Sequence, residues 1–171
     1  ALLYAATVCT LTAVSCSDET KEPNLYTTAV TDDGNGMHRE TAAHAFSRVG
    51  DSWKLMPGTR SESGERIVHG RHGRGRYAAF ALGNVVRWVS TSERVEGGLG
   101  VVQVTGNRSS LDTFDIEAFG ADPDGTNSGT VVTVHQLGPA AVSSFDAPDD
   151  LRQAILIEFA LNLERYKDFQ I

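Results

Sequence analysis

Asp32-Asp33-Gly34-Asn35-Gly36-Met37 limits what this chain can fold into more than any other segment. Two glycines one residue apart let the backbone enter conformations that a Cβ would forbid, and they let a ligand approach closely. The segment follows Leu25 to Thr31, which reads as a strand, and precedes a helical pattern from Arg39 to Arg48. It is therefore a tight strand-to-helix turn with a carboxylate at the strand end. An ionised carboxylate only accepts hydrogen bonds, so it suits a donor such as an exocyclic amine. Asp-Gly also marks ordinary turns, and the segment alone does not choose between the two.

A second glycine-rich stretch is basic. Gly70, Gly73 and Gly75 punctuate His69-Gly70-Arg71-His72-Gly73-Arg74-Gly75-Arg76, ahead of a short helix from Tyr77 to Leu82 that stops at Gly83. Free N–H groups at a helix start favour a phosphate, and Arg71, Arg74 and Arg76 add charge-assisted donors. The whole chain carries a formal net charge of -7, which repels nucleic acid. The basic stretch reads as a local anion site, with a solvated loop as the plain alternative. No Gly-Lys-Ser/Thr follows, so it is not a Walker A loop. Gly73 to Ala78 fits the dinucleotide pattern, and Glu93 lies twenty residues beyond Gly73. That leaves a Rossmann-type NAD binder open, although only Ile67-Val68 offers a preceding strand.

The rest of the chain organises around these two segments. Thr7 to Ser15 reads as a strand, paired as a hairpin with Leu25 to Thr31. Gly50 to Gly75 has little periodicity, and a loop of that length is usually functional. Val85 to Thr91, Gly100 to Thr105 and Thr113 to Phe119 read as strands, separated by turns at 96–98 and 106–110. After a turn-rich break from Gly120 to Gly129, Thr130 to His135 is a final strand. Pro148 opens a last helix to about Tyr166, capped by Asp149 or Asp150. Without strict alternation, the expectation is an α/β chain of α+β type: a two-layer sandwich with a mixed sheet covered on one face by helices.

At 171 residues and 40% hydrophobic content, residues 1–171 make one domain. Cys9 and Cys16 are too few for a disulfide scaffold, and no apolar run spans a membrane, so the expected setting is cytoplasmic. Ala13-Val14-Ser15-Cys16 loosely resembles a lipoprotein cleavage region, but no positive segment precedes it. His69 and His72 lack a third metal ligand, and Asp122, Asp124 and Asn127 lack the terminal glutamate of a calcium loop. No metal site and no catalytic residue is assigned.

Read in order, these segments resemble the GHKL ATPase superfamily of gyrase, ninety-kilodalton heat-shock chaperones, histidine kinases and MutL, closest to its chaperone-like and MORC-like bacterial branch. Val30 to Met37 resembles the family's Asp-x-Gly-x-Gly box. Phe46 to Lys54 looks like the approach to an ATP lid, placed at about 56–74, and Gly70 to Gly83 like the second glycine box. Ser128-Gly129-Thr130 is similar to the Gly-Thr before the last strand. The resemblance implies the Bergerat ATP-binding fold. It implies that Asp32 holds the adenine amine, that Gly34, Gly36 and Met37 shape the turn, and that Thr130 supports the adenine site. It also implies that Gly70, Arg71, His72, Gly73, Arg74, Gly75 and Arg76 wrap the phosphates of ATP, with Mg2+ as cofactor.

The family's upstream helix, with its water-activating Glu and metal-binding Asn, has no counterpart in Ala1 to Ala6, which look like the tail of that helix. The expectation is therefore a piece truncated at both ends, with a natural non-catalytic homologue as the alternative. Hydrolysis is expected only where the full-length protein supplies that helix. The implied function is lid closure over ATP that drives conformational change in a larger protein. A further domain would follow this one, and a nucleotide-dependent homodimer is implied as a partner state. A nucleotide-sensing regulatory module and the NAD binder remain the alternatives.

Overall fold

The computed structural model describes residues 26–47, 75–94, 97–121 and 127–165. β1 (Thr27–Asp32) leads into α1 (Arg39–Ser47). α2 (Gly75–Ala78) tightens into a 3-10 turn, Ala79–Ala81, before β2 (Gly83–Glu93), β3 (Leu99–Asn107), β4 (Ser110–Ala121) and β5 (Gly129–Leu137). α3 (Pro139–Phe145), α4 (Pro148–Glu158) and α5 (Ala160–Arg165) follow.

The strands form one sheet in the order β1-β5-β2-β3-β4, so the chain is an α+β sandwich. The expected mixed sheet is antiparallel at every pairing among the described strands. The physical reason is connection length: β2, β3 and β4 are joined by short hairpins, which can only reverse direction. The expected strand from Thr7 to Ser15, its hairpin, and the lid at 56–74 lie outside the described residues.

Alternation decides which face is covered. On β2, Val86, Trp88, Ser90 and Ser92 are buried at every second position. Their register partners continue the same face: Val86 opposes Val134, and Trp88 opposes Val132 and Val104. Ala42 and Phe46 of α1, Phe80 and Ala141 pack onto this face as one core. Trp88 sits in the middle, with the rings of Phe46, Phe114 and Phe80 at 4.9, 6.0 and 6.3 Å. The first two and the third are all edge-on, a geometry that contributes about 0.5–1.5 kcal/mol per pair beyond area burial.

Local differences from the sequence reading have identifiable causes. Gly106, read as part of a turn, lies inside β3, because the rings of Phe114 and Phe80 occupy the space a Cβ would need. The turn shrinks to Arg108 and Ser109, fixed by the Ser109 N–H donating to Asn107 Oδ1 at 3.0 Å. α3 was not legible: seven residues hold too little periodicity, and its serines donate back to carbonyls one turn earlier, Ser143 to Pro139 at 3.1 Å and Ser144 to Ala140 at 2.9 Å. The last helix breaks at Phe159 into α4 and α5. Its first residue is Pro148, with Ala147 in the cap position, so Asp149 and Asp150 stand in the first turn, where they favour the helix dipole without capping it. No helix among the described residues is long and apolar enough to cross a membrane.

His135 belongs to the opposite face, beside Thr27 and Val85. Its Nε2 is buried and has no hydrogen-bond partner among the described residues. Burial, and secondarily the Arg87 guanidinium, lower its pKa below the usual 6.5. A depressed folded-state pKa means that the unfolded chain takes up the proton first as pH falls. The contribution to stability is therefore complete above 6.5 and lost as pH falls toward the folded value. Urea midpoints should drop further between about pH 7.5 and pH 5 for the wild type than for His135→Gln. Parallel profiles for the two proteins would contradict this.

Candidate functional site

β1 delivers Asp32 to the end of the sheet, and the chain turns at once. Asp32 Oδ1 accepts the Gly34 N–H at 2.9 Å, an Asx-type turn that holds the carboxylate in place. Gly36 then takes a φ of +67°, where a Cβ would overlap the Thr91 carbonyl group and come within 2.6 Å of its carbon. The glycine is required because the turn lays its backbone directly on β2. One residue on, the Met37 N–H donates to Ser90 Oγ at 2.8 Å. The next side chain is tied down too, with His38 Nδ1 at 3.1 Å from Ser92 Oγ.

Three strands meet beneath this turn. Asp32 opposes Thr130 on β5, and Thr130 opposes Ser90 on β2. Ser90 is fully buried, and its Oγ lies 2.9 Å from Thr130 Oγ1 and 3.4 Å from the Gly129 carbonyl oxygen. Gly129 has a φ of +154°, and a Cβ there would crowd the Asp32 carbonyl group, 3.2 Å from its carbon. The ends of β1 and β5 are thus locked together by backbone contact as well as by pairing.

The helical layer does not reach the whole of this face. Thr28 is buried beneath it, but Val30, two residues further along the same face, is 49% exposed, and Asp32 is exposed as well. Met37 and Thr130 are half-buried. The open end of β1 therefore offers an acceptor, a hydroxyl and two apolar side chains. That set matches a flat heterocycle bearing an amine: apolar contact for the ring, and an anionic acceptor for the N–H.

Of the residues expected from sequence, Asp32, Gly34, Gly36, Met37 and Thr130 come together here. Gly70, Arg71, His72, Gly73 and Arg74 lie outside the described residues. Arg76 lies elsewhere: its guanidinium is over the rings of Tyr77 and Phe46, 5.2 and 5.7 Å from their centroids. Phe46 is in the last turn of α1, whereas the Asp32 to Met37 turn precedes the first. A Cβ at Gly75 would meet nothing within 4 Å. Ser90, Ser92 and His38 were missed by the sequence reading. A signal existed for the serines: they continue the buried parity of Val86 and Trp88, where an apolar side chain is the ordinary choice.

Residues 5–118 match the family model of histidine kinase-, DNA gyrase B- and HSP90-like ATPases. The match covers more than half of the 171-residue chain. The chain belongs to this ATPase family. No curated protein matches this ATPase-family chain significantly. Among solved structures it is similar to the ATPase and transducer domains of DNA topoisomerase II from Balamuthia mandrillaris, at 15% identity and a TM-score of 0.49, covering 77% of this chain and 31% of that one. It is also similar to the ATPase region of Saccharomyces cerevisiae topoisomerase II, at 14% identity and a TM-score of 0.45, covering 70% and 30%. The chain spans about a third of the length of these structures.

Proposed function

We propose that this chain is an ATP-binding domain that places the adenine base at the open end of β1. The observation that carries the reading is the row Asp32, Thr130 and Ser90, built under a turn that Gly36 alone permits, in a chain of an ATPase family. Asp32 accepts from the exocyclic amine, Thr130 contacts the base beside it, and Val30 and Met37 supply apolar surface. Gly34 and Gly36 keep the turn close enough for the ligand to reach the backbone. Gly70 to Arg76 then wrap the phosphates, an assignment that rests on the sequence. Closure of the segment at about 56–74 over the bound triphosphate drives conformational change in a larger protein, and pairs two copies of the domain.

Magnesium is expected to arrive with the nucleotide. Among the described residues no group of three or more His, Cys, Asp or Glu side chains could hold it, so no step is assigned through the metal.

Thermal unfolding with and without Mg-ATP tests this reading. A ligand that binds only the native state stabilises by about 2.7 kcal/mol at a hundred times its Kd. For a domain of this size that is a rise in Tm of roughly 5–10 °C. Asp32→Asn should reduce ATP affinity about tenfold or more, because a charge-assisted hydrogen bond is lost, and the rise should shrink with it. A folded wild type that shows no shift with Mg-ATP would reject the proposal. An equal or larger shift with NAD, unaffected by Asp32→Asn, would favour a dinucleotide binder.

A further inference from the structure

Ser90 cannot touch a ligand, being fully buried, yet its hydroxyl joins the glycine turn to Thr130. We propose that Ser90 is a positioning residue that orients the Thr130 hydroxyl as a donor toward the ligand, so that Asp32 and Thr130 present an acceptor and a donor side by side. This inference rests on the ATP-binding reading above.

The argument is a count of protons and lone pairs. A serine hydroxyl has one proton to give and two lone pairs. The Met37 N–H takes up one lone pair at 2.8 Å. The proton has two acceptors within reach, Thr130 Oγ1 at 2.9 Å and the Gly129 carbonyl oxygen at 3.4 Å. Hydroxyl donors work best at about 2.7–2.8 Å and weaken beyond about 3.0 Å. The proton therefore goes to Thr130. A threonine that accepts at that point keeps its own proton for the half-buried, ligand-facing side.

The consequence is a pattern of recognition. Asp32 opposes Thr130 in the register, so the two groups are neighbours at the strand ends. A carboxylate only accepts, and the Thr130 hydroxyl set in this way donates. Adenine offers the complement on a single edge, an amine N–H beside a ring nitrogen with a lone pair. The amine is read by Asp32. The ring nitrogen is read by Thr130, and only while Ser90 supplies the proton that turns Thr130 outward.

The test compares ATP with 1-deaza-ATP, in which that ring nitrogen is a C–H, and with purine riboside triphosphate, which lacks the amine. Affinities of the 171-residue chain are measured by calorimetry for wild type, Ser90→Ala, Thr130→Val and the double variant, with Tm followed in each. Wild type should prefer ATP to 1-deaza-ATP by roughly tenfold, the worth of one hydrogen bond. Ser90→Ala should remove most of that preference and keep the preference over purine riboside triphosphate, which Asp32 sets. In the Thr130→Val background, Ser90→Ala should leave the ratio unchanged. If Ser90→Ala does not fold, Ser90→Cys, whose thiol is a weaker donor, should show a reduced preference.

A Ser90 variant that weakens ATP and 1-deaza-ATP by the same factor would reduce Ser90 to a packing role and overturn the inference. A wild type that binds ATP without preferring it to 1-deaza-ATP would overturn it as well, leaving the ATP reading intact. A folded wild type that binds neither nucleotide would reject the ATP reading, and the inference with it.

Discussion

Alanine at Gly36 is expected to destabilise the domain by at least about 3 kcal/mol and to abolish the thermal response to Mg-ATP. Two effects add. A φ of +67° costs an L-residue with a Cβ about 1–2 kcal/mol. The Cβ would also overlap the Thr91 carbonyl group and lie 3.1 Å from the Ser92 nitrogen, both of them backbone. Those atoms cannot withdraw, because β2 is paired on both sides, to β5 and to β3. Relief requires lifting the turn, which pulls the Met37 N–H off Ser90 and leaves a buried hydroxyl short of a partner. Gly97 is the control: its φ is +89°, but a Cβ there would meet nothing within 4 Å. Gly97→Ala should therefore cost only about 1–2 kcal/mol. Urea unfolding of both variants separates conformational strain from collision, and equal losses at the two sites would show that the turn does not rest on β2.

The second large effect is expected at Trp88. Trp88→Ala should cost about 3–5 kcal/mol, since an aromatic ring is removed from a close-packed site and the neighbours cannot collapse fully into the space. Trp88 is only 7% exposed and meets Phe46, Phe80 and Phe114, contributed by α1, the 3-10 turn and β4. One side chain thus joins the helical layer to the sheet. Trp88→Phe, which keeps a ring, should lose markedly less. Trp88 is two residues from Ser90 on the same face but touches no part of the proposed base site, so Mg-ATP should bind Trp88→Phe with nearly wild-type affinity. A loss of affinity as large as that of Asp32→Asn would mean that the aromatic cluster shapes the site itself.

These two variants divide the site from its support. Gly36 acts on the path of the turn, and Trp88 on the layer that holds the sheet flat against α1. Their effects are far apart enough in kind that binding and stability should respond differently, strongly together at Gly36 and almost separately at Trp88.

Local chemistry was legible in the residues themselves. The turn from Asp32 to Met37 and the helix after it follow from glycine, from aspartate and from a 3.6-residue period, all of which act within a few residues. The four strands from Gly83 to Leu137 were readable for the same reason, although their ends were extended by pairing with neighbours. What is short or shared was not readable. α3 is stabilised by its packing rather than by any period of its own, and the antiparallel order β1-β5-β2-β3-β4 depends on contacts far apart in sequence. Gly106 looks like a turn residue until two rings from other elements are placed against it.

The sequence by itself determined that this chain has an acidic, two-glycine turn at a strand end, the boxes of an ATPase family, and one apolar parity on β2. Only the tertiary structure decided that Asp32, Thr130 and Ser90 stand in one row, although they are dozens of residues apart along the chain. The reason is physical. A turn is dictated by the steric limits of its own backbone, but a hydrogen-bonded row across three strands exists only once register, burial and direction have been settled by the whole sheet.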